Sequence, residues 1–285
     1  MTEVPATTSE YGLLGIRDVD FHLDRVPAPA DLADLVERFW QVRWELPEER
    51  RSSVVLLPHP CVNVVYDRGQ IGIFGVGRER FAYELSGVGW VYGINFRPGG
   101  FLPWLGEPVA QLTDRARPLA TLWGAAEADR FAAELAAAGR AATGPAATGA
   151  LDALVEVAQR HLRAHRPPTD PEVARVGRIV HALLHDRSIT RVDDVTGRFG
   201  LSTRSLQRLF QRYVGVSPKW VLRRYRLHEA AARLAEGPDS TWTEVALELG
   251  YFDQSHFIRD FTGAIGMTPL AYAEACRRHQ APVSA

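Results

Sequence analysis

The sequence predicts an α+β protein of two domains: a β-rich, barrel-like N-terminal domain with flanking helices, then an all-α C-terminal domain of seven helices. Three observations predict it. Up to about residue 135, short apolar runs alternate with turn residues ("SVVLLP", "CVNVVYDRG", "IGIFGVG", "FAYEL", "GWVYGINFRPGG"), the pattern of antiparallel strands. From Pro171 onward every segment has helical periodicity. Within that second half, "VTGRFGLSTRSLQRLFQRYVGVSP" (195–218) recurs as "ALELGYFDQSHFIRDFTGAIGMTP" (246–269). Val195 and Gly200 pair with Val245 and Gly250 at an offset of 50; Leu206, Arg208, Phe210, Gly215 and Pro218 pair with Phe257, Arg259, Phe261, Gly266 and Pro269 at 51. The two stretches are copies of one unit with a residue inserted at the turn.

Taken in order, "PADLADLVERFWQVRW" places Leu32, Leu35, Val36, Phe39 and Trp40 at the spacing of an amphipathic helix running into a strand. After the strands, "EADRFAAELAAAG" reads as a helix ended by glycine, and the small-residue run "RAATGPAATG" marks the edge of the domain. "ALDALVEVAQRHLRAHRPP" is an amphipathic helix stopped by Pro167 and Pro168, a connector or dimer element. The expected division is 1–150 for a sensor, effector or dimerisation domain, 151–170 for a connecting helix and linker, and 171–285 for the helical domain. Its helices are predicted at about 171–185, 191–199, 203–213, 218–236, 242–249, 254–264 and 269–279. Ser217–Pro218 and Thr268–Pro269 each set a capping hydroxyl before a proline whose missing N–H costs nothing at a helix start.

With 285 residues, 46% of them hydrophobic, the chain can fill two cores. Two cysteines, Cys61 and Cys276, make no disulfide framework. The N-terminus lacks a signal-peptide pattern and no apolar run approaches the roughly 20 residues that cross a bilayer, so a cytoplasmic protein with no membrane partner is expected. The net charge of −1 conceals an asymmetry: residues 171–285 carry +4 and residues 1–170 carry −5. Six Arg, one Lys and no acid fall within 201–226, the footprint of a surface that meets phosphate; the plainer alternative is a solvated helix face.

Each copy offers a short helix, a turn with Gly200 or Gly250, and a second helix capped by Ser202 or Asp253, the layout of a helix-turn-helix. In the first copy Leu206, Leu209, Phe210 and Tyr213 share the inner face, leaving Thr203, Arg204, Gln207, Arg208 and Gln211 outside. In the second, Phe257, Ile258 and Phe261 pack and Gln254, Ser255 and Arg259 face out. Arginine can grip guanine and glutamine can pair with adenine, so these faces suit the major groove of double-stranded DNA. The intervening helix spans about 30 Å, close to the ~34 Å between successive major-groove faces on one side of the duplex.

The stretch "ALELGYFDQSHFIRDFTGAIGMTPLAYAEACRR" resembles the signature of the AraC/XylS family of bacterial transcription regulators, and 171–279 resembles that family's seven-helix double helix-turn-helix domain. The resemblance implies base reading by Arg204, Gln207 and Arg208 in the first motif and by Gln254, Ser255 and Arg259 in the second. Ser202, Thr203, Arg212, Lys219 and Arg224 are the expected phosphate contacts. The resemblance also implies a regulator, activator or repressor, partnered by RNA polymerase, with a homodimer as a further candidate. One departure stands out: Thr262 and Gly263 replace the basic residues the family often carries, so weak phosphate binding by the second motif is expected. "LVERFW", "LLPHPCVNVVYD" and "GINFRPGGFLPWLG" are similar to an uncharacterised group of β-rich sensor domains. An apolar or aromatic small-molecule effector is expected there, in a pocket lined by Trp40, Phe74, Tyr83, Trp90, Tyr92 and Phe96; a well-filled core is the competing explanation of so many aromatics.

No catalytic residue, metal or cofactor is called for. The i,i+4 pairs His161–His165 and His181–His185 lack a third ligand in a recognisable motif, and "GINFRPGGF" lacks the ending of a phosphate loop. Arg97 there reads as the partner of a carboxylate in its own domain, with an anionic effector as the alternative. A DNA-repair alkyl acceptor using Cys61 is the rival from another class; a four-cysteine zinc version is excluded by the cysteine count.

Overall fold

The computed structural model describes residues 14, 21–140, 150–236, 242–251 and 253–280; the small-residue run at 141–149 lies outside them. The N-terminal half rests on an antiparallel sheet in the order β1-β2-β7-β4-β5-β8: β1 (His22–Pro27), β2 (Val36–Glu45), β7 (Val88–Phe96), β4 (Asn63–Asp67), β5 (Gln70–Phe74) and β8 (Ala116–Pro118). A separate pair, β3 (Arg51–Leu56) with β6 (Phe81–Ser86), shares a small core with one face of that sheet through Trp44, Val54, Leu85 and Val91. The other face packs on α3 (Ala125–Arg140) and α4 (Ala150–Ala164), where Phe131, Leu135 and Leu154 meet Val64, Ile73, Tyr92 and Ile94. Two short helices, α1 (Leu102–Leu105) and α2 (Ala120–Trp123), and a 3₁₀ turn, Val109–Leu112, link the sheet to these helices.

The helix expected from the spacing of Leu32 to Trp40 does not form. Residues 30–35 are turns, and β2 runs from Val36, pairing with β1 on one side and β7 on the other. Leu32 and Leu35 are buried from the turn, and both faces of β2 are covered, so the neighbours Phe39 and Trp40 are apolar on opposite sides and the run imitates a helix, although burial alternates from Glu37 to Val42 as in any strand.

The six aromatics expected to line one pocket lie on opposite faces of the sheet. Trp90, Tyr92 and Phe96 belong to the helix-covered face: Trp90 stacks on Tyr66 at 5.0 Å, and Phe96 meets Phe101 and Trp104 edge-on at 4.8 and 5.2 Å. Trp40 and Tyr83 pack on the face toward β3 and β6, and Phe74 is exposed at the end of β5. Trp40 and Trp44 sit opposite Gly93 and Gly89 across the β2–β7 ladder, with their indoles where a Cβ would otherwise stand. The aromatics fill the sheet's two interiors, and the reason is the pleat, which sends neighbouring side chains to opposite sides.

The C-terminal half follows the predicted spans closely: α5 (Pro171–His185), α6 (Val192–Phe199), α7 (Thr203–Tyr213), α8 (Pro218–Glu236), α9 (Trp242–Glu248), α10 (Gln254–Ile265) and α11 (Pro269–Gln280). α8 is buried along its length, including Val221, Tyr225, Leu227, Ala230 and Leu234. Its first half joins a core that runs from the sheet through α3 and α4 into α5–α7. Its second half joins the core of α9–α11, into which Leu57, just after β3, also inserts. No helix among the described residues is long and apolar enough to cross a membrane.

Candidate nucleic-acid interface

The first unit is α6, a turn and α7. Gly200 ends α6 at φ 61°, a left-handed conformation that costs glycine nothing. Ser202 then caps α7 by accepting a hydrogen bond from the Ser205 N–H at 3.1 Å. Leu206, Phe210 and Tyr213 are buried, and the Tyr213 hydroxyl donates to Asp170 Oδ2 at 2.7 Å, tying the end of α7 to the cap of α5. Burial, and then that bond, pushes the phenol up to about 12. With the apolar face fixed, Thr203, Arg204, Gln207, Arg208, Gln211 and Arg212 are all exposed. Arg204, Gln207, Arg208, Gln211 and Arg212 line one concavity of about 390 Å³, with Pro108 of the N-terminal domain on its rim. The three base-reading candidates of this motif are thus brought together, joined by Gln211 and the phosphate candidate Arg212.

The second unit repeats the construction. Gly250 takes φ 74°, Asp253 accepts from the His256 N–H at 2.7 Å, and Phe257, Phe261 and Ile265 are buried. Asp253 is a helix cap, as its equivalence to Ser202 implied. Gln254, Ser255 and Arg259 are exposed as expected, and so is His256, which the sequence reading passed over. Its signal was present: it stands one position before Phe257, between two outward residues and the inner face.

Of the phosphate candidates, Ser202, Thr203, Arg212 and Lys219 are exposed, but Arg224 is not. It is 4% exposed, donates to the carbonyls of Pro58 at 3.1 Å and Arg78 at 2.7 Å, and lies 4.4 Å over the Trp220 ring. Desolvation lowers its pKa to about 10. One helical turn on, His228 is buried, its Nε2 3.0 Å from the Leu57 carbonyl, and its ring meets His59 edge-on at 4.5 Å. α8 therefore docks on the N-terminal domain through Arg224, a residue that the sequence assigned to phosphate, while Lys219 stays outside.

The N-terminal domain also touches the far end of each recognition helix. Thr113 Oγ1 donates to the Gly215 carbonyl at 2.7 Å, and Arg80 Nη1 donates to the Ile265 carbonyl at 2.6 Å. Gly215 and Gly266 are equivalent residues of the two units, with φ 94° and 89°. A Cβ at Gly266 would collide with the Arg80 guanidinium. Gly266→Ala should lower stability by about 1–2 kcal/mol from the left-handed backbone alone and displace Arg80. Thermal unfolding of Arg80→Ala and the double variant checks this: the glycine effect should shrink once Arg80 is gone.

The other candidate chemistry resolves into packing. His161 places Nδ1 2.8 Å from Glu127 and Nε2 3.1 Å from Glu134 while stacking on Phe131, so it clasps α3 to α4. His165 stacks on Trp123 at 4.3 Å, and the His181 and His185 rings lie 4.4 Å apart. Arg97 forms a buried pair with Glu37 at 3.1 Å. No group of three or more metal-binding side chains is arranged for a metal among the described residues. Cys61 is 3% exposed, and burial pushes its thiol up to about 12, away from the thiolate form.

Comparison with known proteins finds similarity in both halves of the chain. A helix-turn-helix domain family matches residues 195–275, and a domain of unknown function matches 24–118. PqrA of Proteus vulgaris, described as a probable transcription factor, is 32% identical over 84 residues, which are 30% of this chain and 68% of that protein. The chain belongs to the AraC/XylS family. The transcriptional activator RhaS of Pectobacterium carotovorum is 37% identical over 84 residues, 30% of this AraC-family chain and 28% of RhaS. The chain thus covers less than a third of that relative's length. ToxT of Vibrio cholerae aligns over 90% of this chain and 98% of its own, at 12% identity and a TM-score of 0.41.

Proposed function

We propose that this chain is a transcription activator that reads double-stranded DNA with Arg204, Gln207 and Arg208 of α7 and Gln254, Ser255 and Arg259 of α10. Ser202, Thr203, Arg212 and Lys219 hold phosphates beside the first motif. The observation that carries the reading is the outward face of α7, where three arginines and two glutamines share one concavity and no acid occurs from 201 to 226. RNA polymerase is its partner, the cytoplasm its compartment, and residues 1–150 the controlling domain, through a small-molecule effector or a second copy of the chain. The effector is apolar or aromatic, and its site is not a single pocket of the six named aromatics.

The test uses a duplex selected by the full chain from a randomised library. Arg208→Ala should cost about 1–3 kcal/mol on that duplex and relax preference at one or two base pairs, while random DNA is bound nearly as before. Equal losses on selected and random duplexes, measured by competition, would remove Arg208 from base reading.

A further inference from the structure

We propose that Asp260 is a positioning residue for the second recognition helix: by holding Arg223 of α8, it sets how far and at what angle α10 stands from α7. This rests on the two-motif reading above. Asp260 lies on α10 one residue after the outward Arg259, yet it is only 8% exposed. Its Oδ2 accepts from Arg223 Nε at 2.7 Å and lies 3.5 Å from Nε2 of His256 one turn earlier. The Tyr251 ring closes the other side of this turn, edge-on to His256 at 5.3 Å and to Phe257 at 5.1 Å. A carboxylate on the inner side of a DNA-facing helix works against phosphate attraction unless it is neutralised, and here it is neutralised from α8. Arg223, although half exposed and within the basic run, is thereby spent inside the protein.

The two units differ at this point. In the first, Leu209, the residue after Arg208, packs on the apolar core, so α7 is seated by hydrophobic contact alone at this turn. In the second, an ion pair of defined direction joins α10 to the helix that separates the two motifs. Hydrophobic contacts are non-directional and tolerate sliding; a short charged hydrogen bond fixes orientation. The pair therefore converts α8 into a spacer with a fixed exit angle, and the property it governs is tolerance to the separation of the two half-sites.

The test is a spacing series on the library-selected duplex, bound by the full chain, with one base pair inserted or removed between half-sites. Wild type should lose at least tenfold in affinity per step. Asp260→Ala and Arg223→Ala should bind the parent duplex three- to thirtyfold more weakly and show a spacing penalty reduced to about threefold or less. Arg223→Asp combined with Asp260→Arg should restore the steep penalty, which a general loosening of the second unit would not do. A penalty unchanged in both single variants overturns the proposal. So does a fall of about 0.9 in the salt slope on Arg223→Ala, because that marks a phosphate contact. If a duplex selected by the wild type shows protection over one half-site only, the two-motif reading itself fails, and this is seen before any variant is made.

Discussion

Replacing Arg224 with alanine should cost about 2–4 kcal/mol of stability and leave the salt dependence of DNA binding unchanged. The guanidinium makes two charge-assisted hydrogen bonds to backbone carbonyls and covers the Trp220 ring. Each such bond contributes about 1.5–3 kcal/mol, and the carbonyls of Pro58 and Arg78 would lose that donor. Relief of the desolvation of a buried charge offsets part of the loss, hence the lower total. Because these bonds join α8 to the N-terminal domain, urea unfolding of the variant should also broaden or divide into two transitions. Lys219→Ala, on an exposed residue of the same helix, should do the reverse, sparing stability and lowering the salt slope by about 0.9. An Arg224→Ala protein with wild-type stability and a reduced slope would return this residue to the DNA.

Acidification should loosen the same contact. Burial, then the nearby Arg224, holds the His228 pKa at about 3 against an ordinary 6.5, outweighing the opposing bond to Leu57. Burial and the charges of His228, Arg38, Arg25 and Arg224 hold His59 well below its ordinary value too. Both pKa values are depressed in the native state, so each ring must stay neutral there and would take up a proton once released. The stability they contribute is fully present above pH 6.5 and declines as the pH falls toward the native values. For His228 alone the loss at pH 5 is about 2 kcal/mol. Melting temperatures of the full chain between pH 7.5 and 5.0 should fall less steeply in His228→Gln, whose amide can still donate to the Leu57 carbonyl but takes no proton. Parallel curves for the two proteins would show that acid acts elsewhere.

Helices α7 and α10 were legible because their signals are local. Leu206, Phe210 and Tyr213 at helical spacing define the inner face of α7, and its outer face follows by subtraction; Ser202 and Asp253 mark the starts through bonds that reach only three residues. What stayed hidden depends on partners far along the chain. Arg224 looks like its neighbours until the carbonyls at 58 and 78 are placed beside it. Trp40 and Tyr92 look like members of one pocket until the register of β2 on β7 sends them to opposite sides. Asp260 is one of eight acids against four arginines in 227–285, and only the approach of Arg223 from α8 gives it a task.

The contacts of Thr113 and Arg80 have a mechanical consequence. A duplicated unit is gripped at equivalent points by a domain that is not duplicated, through a hydroxyl in one copy and a guanidinium in the other. The two grips are unequal, so a strain entering from the sheet would reach α7 and α10 in different proportions, with the N-terminal domain as an uneven yoke. By thermodynamic reciprocity the traffic runs both ways: a duplex that forces the helices apart pulls on the sheet through Arg80 and Thr113. On the two-motif reading proposed above, an operator whose half-sites suit the resting yoke would leave the N-terminal domain undisturbed, and one that does not suit it would load the sheet.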